Sequence, residues 1–404
     1  MGEAMAMENP SRQKTRLLRM MHLLLRIRPA ALPVTHRHNR AVLFHDGSGF
    51  FQALHVALRA AERFILVEYY LIRNDPTGET FAAELAEAVR RGVRVLLIYD
   101  YIGSIETPLS FFKGMARQGI ELIPFNTPSI KRGLHWFDRR DHRKMVVIDG
   151  SLAFLGGFNI GDEYSGVAKS THRFRDVGFS ISGSSVHELV SIFSETWLME
   201  RGELPRIPLA AHNENSQPHE HGLGTVVIIS GSPQHRRSYI RNSFVVNIAA
   251  AAEEILIATP YFIPGPRIIR SLLRTARRGI QVRLLLPARS DMPLVRLLGR
   301  SYYGALLRKG IDICEMAHEI LHAKVMLIDG ERAVIGSANF DQRSFHRNFE
   351  INLIIDNEAF CRQIQMILLE DFKNSRRITL EDHEQRGVVS RLLEKVINLF
   401  GWFL

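Results

Sequence analysis

His142-Arg-Lys144-Met-Val-Val-Ile-Asp149 and His322-Ala-Lys324-Val-Met-Leu-Ile-Asp329 are two copies of one phrase, H-x-K-x4-D, set 180 residues apart. Each is followed, at the same offset, by a glycine turn that ends in Asn: Gly156-Gly157-Phe158-Asn159, then Gly336-Ser337-Ala338-Asn339. A single H-x-K is more often a solvated strand end than a site, but one spacing held over eighteen residues in both copies marks a duplication. On a strand, His and Lys two positions apart project from one face, while Val147 or Leu327 fills the other. Each strand end thus offers an imidazole and an ammonium, and the turn adds a neutral amide.

Outward from the motif, the surrounding chain is duplicated as well. Phe64 to Ile72 reads as a strand, Phe81 to Arg91 as a helix stopped by Gly92, and Val93 to Tyr99 as a second strand. Ile255 to Ile263, Ile268 to Arg278 with Gly279, and Val282 to Leu286 repeat that order. The hinges match too, Arg90-Arg91-Gly92-Val93 against Arg277-Arg278-Gly279-Ile280. A unit this long is a duplicated domain rather than a solenoid repeat. The expected fold class is α/β: two duplicated α/β sandwich domains, each a sheet with helices on both faces, sharing one interfacial active site. The expected boundaries are a basic amphipathic segment at 1–40, a first domain at 41–200, a linker at 201–225 rich in Pro, His and Asn, a second domain at 226–380, and an amphipathic tail at 381–404.

Two facing half-sites would surround one phosphate with His142, Lys144 and Asn159 from one copy and His322, Lys324 and Asn339 from the other. That set suits phosphoryl-group transfer without a metal: one His attacks phosphorus, the other protonates the departing alkoxide, and cations and amides stabilise the developing charge. An oriented imidazole needs a carboxylate partner. Asp176 and Glu350, each just before an apolar strand-like run, are the candidates. Asp149 and Asp329, the third members of the motifs, are expected to hold local structure. The 17 His do not make a metal site, because the motif lacks the helical His pairing of zinc hydrolases and its Lys would repel a cation. No cofactor is expected.

The 404 residues carry 52 Lys and Arg against 42 Asp and Glu, a net +10 that implies a polyanionic partner: nucleic acid, acidic phospholipid or a phosphate-bearing substrate. With 46% hydrophobic residues the chain is not a disordered one, and its 2 Cys leave no disulfide framework. Charges interrupt every apolar run, which argues against a spanning helix. From Arg12 to Ile27 a helix would carry Arg12, Arg16, Arg19 and Arg26 opposite Leu17, Leu18, Met21, Leu24 and Leu25. It reads either as a membrane-surface helix or as one docked on its own domain, as does the tail with Leu399, Phe400, Trp402 and Phe403.

These residues resemble the phospholipase D superfamily, whose two HKD motifs build one active site at a pseudo-twofold interface. The resemblance runs from Ala41 to Phe372 and tightens to the bacterial cardiolipin synthases at Gly156–Tyr164, Ser290–Arg296 and Ser337–Phe345. It implies a phosphatidyltransferase: a phosphatidyl group passes from phosphatidylglycerol to His142 and on to a second lipid, with His322 as the acid that protonates the leaving group and Lys144, Lys324, Asn159, Asn339 and Ser337 holding the phosphate. It further implies a peripheral enzyme on the cytoplasmic face of the bacterial inner membrane, of the shorter type without paired N-terminal spans, meeting phosphatidylglycerol and an anionic membrane surface rather than nucleic acid. Hydrolysis by the same intermediate, as a phospholipase D or nuclease, is the alternative. Gly157 departs from the serine at Ser337, so the first half-site lacks one hydroxyl.

Overall fold

The structure, a computed structural model, describes residues 34–128, 135–166, 173–207, 224–233 and 238–386. The amphipathic stretch 12–27, most of the expected linker (208–223) and the tail from Val388 lie outside the described residues.

The third residue of each motif sets a hairpin. Asp149 and Asp329 both take φ of 53°, and the glycines after them also have positive φ, 69° at Gly150 and 68° at Gly330. Few residues besides Gly, Asn and Asp sit comfortably there. Asp149 is held by accepting hydrogen bonds from the backbone N–H of Glu62, Arg63 and Phe64 at 2.9, 2.7 and 2.9 Å. Asp329 accepts from Ala252, Glu253 and Glu254 at 2.9, 2.8 and 3.0 Å. Each turn therefore fastens its hairpin to the start of the neighbouring strand. In the first copy Lys144–Ile148 pairs with Leu152–Gly156; in the second, Val325–Ile328 pairs with Arg332–Gly336. Antiparallel pairing brings the His-x-Lys start of one strand beside the glycine turn that ends the other, which is the physical content of the fixed spacing.

The hairpins lie inside two sheets with one strand order. The first sheet runs Arg40–Phe44, Gly178–Ser182, Leu152–Gly156, Lys144–Ile148, Phe64–Tyr69, Arg94–Asp100, Glu121–Phe125. The second runs Thr225–Gly231, Asn348–Asp356, Arg332–Gly336, Val325–Ile328, Glu254–Ala258, Gln281–Pro287, Asp312–Met316, with Thr35–His36 and Arg376–Ile378 added at its edges. In both, the last three strands of the shared order are parallel to one another and the others antiparallel.

Period-two burial divides each strand between two cores. Phe64, Leu66, Met145 and Val147 join Leu256, Leu285, Leu327 and Leu353 in one cluster common to both copies. Ile65, Val67, Leu97 and Val146 pack outward in a second cluster, and Ile255, Ile257, Leu284 and Met326 in a third. The helices Val186–Arg201 and Glu358–Lys373 contribute Phe193, Trp197, Phe360 and Leu368 to the common core. The helix expected from Phe81 begins earlier, at Pro76, because Asp75 caps it by accepting from Gly78 N at 2.9 Å and proline suits its first turn. Likewise Pro266 stands in the first turn of Gly265–Arg277, ahead of the expected Ile268.

Candidate active site

Two very short parallel strand pairs stitch the copies together. Arg140–Asp141 runs beside Asn348–Phe349, and Ile320–Leu321 beside Phe174–Arg175. The backbone N–H of His142 donates to Phe349 O at 2.9 Å, and that of His322 to Arg175 O at 2.8 Å. Each histidine is thereby set next to the carboxylate one residue further along the opposite copy. Nδ1 of His142 lies 3.0 and 3.1 Å from the two carboxylate oxygens of Glu350, and Nδ1 of His322 lies 2.5 Å from Asp176 Oδ2. The carboxylate pairing is crossed: each imidazole takes its carboxylate from the other half, while Lys324 Nζ of the same half also lies 2.7 Å from His322 Nδ1. With Nδ1 engaged, Nε2 is the nitrogen left for chemistry.

The cluster is buried and strongly charged. His142, Lys144, His322, Lys324, Asp176 and Glu350 are all buried. Burial lowers the pKa of His142 to about 4, against the pull of Glu350 and with help from Lys144. Burial, then the Lys324 charge, lower Lys144 to about 7. His322 and Lys324 are also lowered, first by burial. Burial alone would raise Asp176, but Lys324 and His322 outweigh it and leave the carboxyl below its ordinary range. Glu350 behaves likewise, with His142, Lys144 and the Ser337 hydroxyl overcoming burial. The two lysines and two carboxylates of opposite copies thus feel one another across a common centre. Lys144 Nζ donates to His142 O at 2.9 Å, and Lys324 Nζ donates to His322 O.

The two dyads differ in what else holds the carboxylate. Glu350 also accepts from Ser337 Oγ at 2.5 Å, Ser344 Oγ at 2.7 Å and Asn348 Nδ2 at 3.2 Å. Asp176 accepts from Val177 N at 2.8 Å and has Lys324 at 3.6 Å, with no hydroxyl donor among the described residues. Gly157, the departure noted in the sequence, explains the difference. A Cβ there would lie 2.0 Å from Asp176 Oδ1, so the shorter acid occupies the space that the Ser337 side chain fills in the second copy. Gly157 with Asp176 and Ser337 with Glu350 are alternative ways to fill one volume.

Asn159 donates through Nδ2 to the Tyr164 hydroxyl at 2.9 Å, while its Oδ1 and that of Asn339 are buried without partners. The Asn339 backbone N–H donates to Ser344 Oγ at 3.1 Å. Asp149 and Asp329 sit at the far, turn end of the hairpins. Sequence reasoning did not single out the aromatic walls: Tyr70 packs edge-on against His142 at 4.9 Å, and Tyr164 and Phe174 stand 5.6 and 5.2 Å from His322. It also passed over Arg143, between the first motif's His and Lys, which is buried and bridges the copies by donating to Glu68 at 3.1 Å, Thr196 at 2.8 Å and Ser230 at 2.8 Å. A charged residue just ahead of an apolar strand, where the second copy has Ala323, was the available signal.

The profile of a family described as "Cardiolipin synthase, PLD-like domain" matches residues 54–197 and 244–372. The cardiolipin synthase of Geobacillus kaustophilus is 36% identical over 369 residues, covering 91% of this chain and 73% of that protein. That of Geobacillus sp. strain WCH70 is 35% identical over 356 residues, covering 88% and 70%. Among solved structures, the phosphatidylserine synthase of Haemophilus influenzae superposes with a TM-score of 0.68 over 90% of this chain and 92% of that one, at 12% identity, a likeness of fold. No helix among the described residues is long and apolar enough to cross a membrane. With the profile matching both copies and relatives of this identity spanning nearly the whole chain, the protein belongs to the cardiolipin synthase family, phosphatidyltransferases of the phospholipase D superfamily.

Proposed function

We propose that the protein makes cardiolipin by passing a phosphatidyl group from one phosphatidylglycerol to the hydroxyl of another, through a phosphohistidine, with release of glycerol. The observation that carries the reading is the crossed pair of His–carboxylate dyads with two buried lysines between them. In the first step Nε2 of His142 bonds to phosphorus, and the bond to the glycerol oxygen breaks. That oxygen takes its proton from His322. In the second step His322 takes a proton from the glycerol hydroxyl of the incoming lipid, whose oxygen attacks phosphorus and frees His142.

The assignment of roles follows the two carboxylates. Glu350 shares its charge among His142, two hydroxyls and an amide, which favours a neutral, nucleophilic imidazole. Asp176 meets His322 at 2.5 Å without a competing hydroxyl among the described residues, a contact that favours the imidazolium an acid must be and works against the lowering by burial and Lys324. A bound phosphate supplies negative charge to Lys144 and Lys324 and restores their protonated state. Asn159, Asn339 and Ser337 border the phosphate or hold its surroundings. The enzyme is read as working at the membrane surface, on the cytoplasmic face, on lipid delivered by the bilayer.

The test is to incubate the purified chain with phosphatidylglycerol vesicles. Cardiolipin with an equal amount of glycerol supports transfer. Phosphatidic acid instead would assign hydrolysis, and a trapped adduct on His322 would exchange the two histidine roles.

A further inference from the structure

The helix Gly265–Arg277 and its cap carry Arg267, Arg270, Arg274 and Arg278 along one exposed side, at helical steps of three and four. Opposite them, the helix Tyr239–Ala250 presents Val245, Ala249 and the exposed Val246, with Arg241 as its one charged residue. Between the helices runs a groove of about 590 Å³ with Val245 and Ala249 on one wall and those four arginines on the other. Arg278 is braced by donating to Ala249 O and Ala251 O, both at 2.8 Å. Among the described residues, none of the four makes an ion pair. Arg241, whose Nε is buried without a partner, and His346, 2.7 Å from it, extend the row. His346 ends the short helix that contains Ser344, so this end of the groove lies one helical turn from the Glu350 network.

The first copy shows that such a row is no demand of the fold. Its corresponding helix, Pro76–Arg90, ends in the same Arg-Arg-Gly but carries Glu79, Glu84 and Glu87, and Glu84 and Glu87 pair with Arg59 and Arg90. Counting back from the shared glycine, Arg274 stands where the first copy has Glu87. One copy neutralises this face and the other leaves it uniformly positive. Four guanidinium groups with apolar wall between them fit a surface of phosphodiester anions over hydrocarbon, the chemistry of an acidic bilayer.

We propose that the groove between Tyr239–Ala250 and Gly265–Arg277 is a docking surface for an anionic phospholipid bilayer, separate from the catalytic cluster. The proposal rests on the reading of the protein as an enzyme of membrane lipids. Binding of the full chain to phosphatidylcholine vesicles with and without about 30% phosphatidylglycerol tests it, by flotation at low salt. Replacing Arg270 and Arg274 together by Gln should lower the partition coefficient on acidic vesicles about 25-fold, near fivefold for each arginine close to an acidic leaflet. The same two residues replaced by Lys should keep most of the binding, because charge rather than shape is recognised. An unchanged unfolding midpoint for the Gln variant confirms that the fold is intact. Unaltered binding to acidic vesicles, or an equal loss on neutral ones, overturns the proposal. Lost retention of double-stranded DNA with vesicle binding intact overturns it in favour of nucleic acid. Turnover is not the readout, so failure of the transferase reading leaves this result standing, and unaltered binding leaves that reading standing.

Discussion

Replacing Gly157 by Ala should disable His322 without touching it. The new Cβ would stand 2.0 Å from Asp176 Oδ1 and 2.3 Å from Oδ2, where ordinary contact begins at 3.4 Å. The carboxylate must therefore retreat by about 1.4 Å from a fully buried position, where it is held by His322 at 2.5 Å and Val177 N at 2.8 Å. Losing a hydrogen bond to a charged group costs about 1.5–3 kcal/mol. An acid that is no longer oriented forfeits about 100-fold in kcat, at the lower end of what general acid–base catalysis supplies. The assay is the initial rate of cardiolipin formation from phosphatidylglycerol in mixed micelles, with kcat and KM separated. KM should change little. A second variant sharpens the test: Gly157→Ser with Asp176→Glu rebuilds in the first copy the pair that Ser337 and Glu350 make in the second. It should recover about tenfold over Gly157→Ser alone, because the coupling resides in the pair. Wild-type kcat in Gly157→Ala, or a double variant no better than the single one, would refute the volume-sharing argument.

Five further outcomes are expected. Ser337→Gly removes the 2.5 Å hydrogen bond to Glu350 and should lower kcat about tenfold while the chain stays folded, measured in the same assay. In the proposed mechanism His142, lowered to about 4, attacks as the neutral imidazole, so the acid limb of kcat/KM should fall near pH 4 rather than near 6.5; a limb at 6.5 would contradict it. The same shifts bear on stability: His142 and Lys144 bind fewer protons folded than unfolded, so stability should decline as pH falls from 10.5 through about 7 for Lys144 and from 6.5 through about 4 for His142, read by urea unfolding. Asp149→Ala strips three backbone N–H groups of their acceptor and should cost about 3 kcal/mol in urea unfolding, with the loss of activity tracking the unfolded fraction. Turnover should survive EDTA, because in the proposed mechanism the buried Lys144 and Lys324 neutralise the phosphate charge that a divalent cation would otherwise meet; zinc-specific rescue of a chelated enzyme would count against this.

Much of this was readable in the chain. The equal spacing of the two motifs reflects a hairpin whose turn Asp fixes register, and the matched Arg-Arg-Gly hinges reflect equivalent helices in equivalent sheets. Asp176 and Glu350 could be named, since each precedes an apolar strand. Their crossing could not be read, because local pattern carries no information on which half a side chain faces; the docking of Arg140–Asp141 on Asn348–Phe349 and of Phe174–Arg175 on Ile320–Leu321 decides it. Gly157 read as a missing hydroxyl and is a steric allowance for Asp176. Tyr70 was hidden because an aromatic residue at the end of an apolar strand looks like core, and Arg143 because its partners lie on three distant elements.

The crossed dyads also bear on when the enzyme comes alive. His142 is separated from Glu350 by 208 residues, and Asp176 from His322 by 146. On the ribosome the first copy is made with its histidine unoriented and its carboxylate idle, and it stays so while the chain between them is added. Glu350 is the last of the four to be synthesised, and the helix Glu358–Lys373, whose Phe360 and Leu368 fill the common core, still follows it. Under the proposed mechanism a nascent chain is therefore chemically silent toward the phosphodiesters that crowd every membrane it passes. A truncated product of translation is inert for the same reason, and competence arrives as a single late event, at the docking of one half on the other.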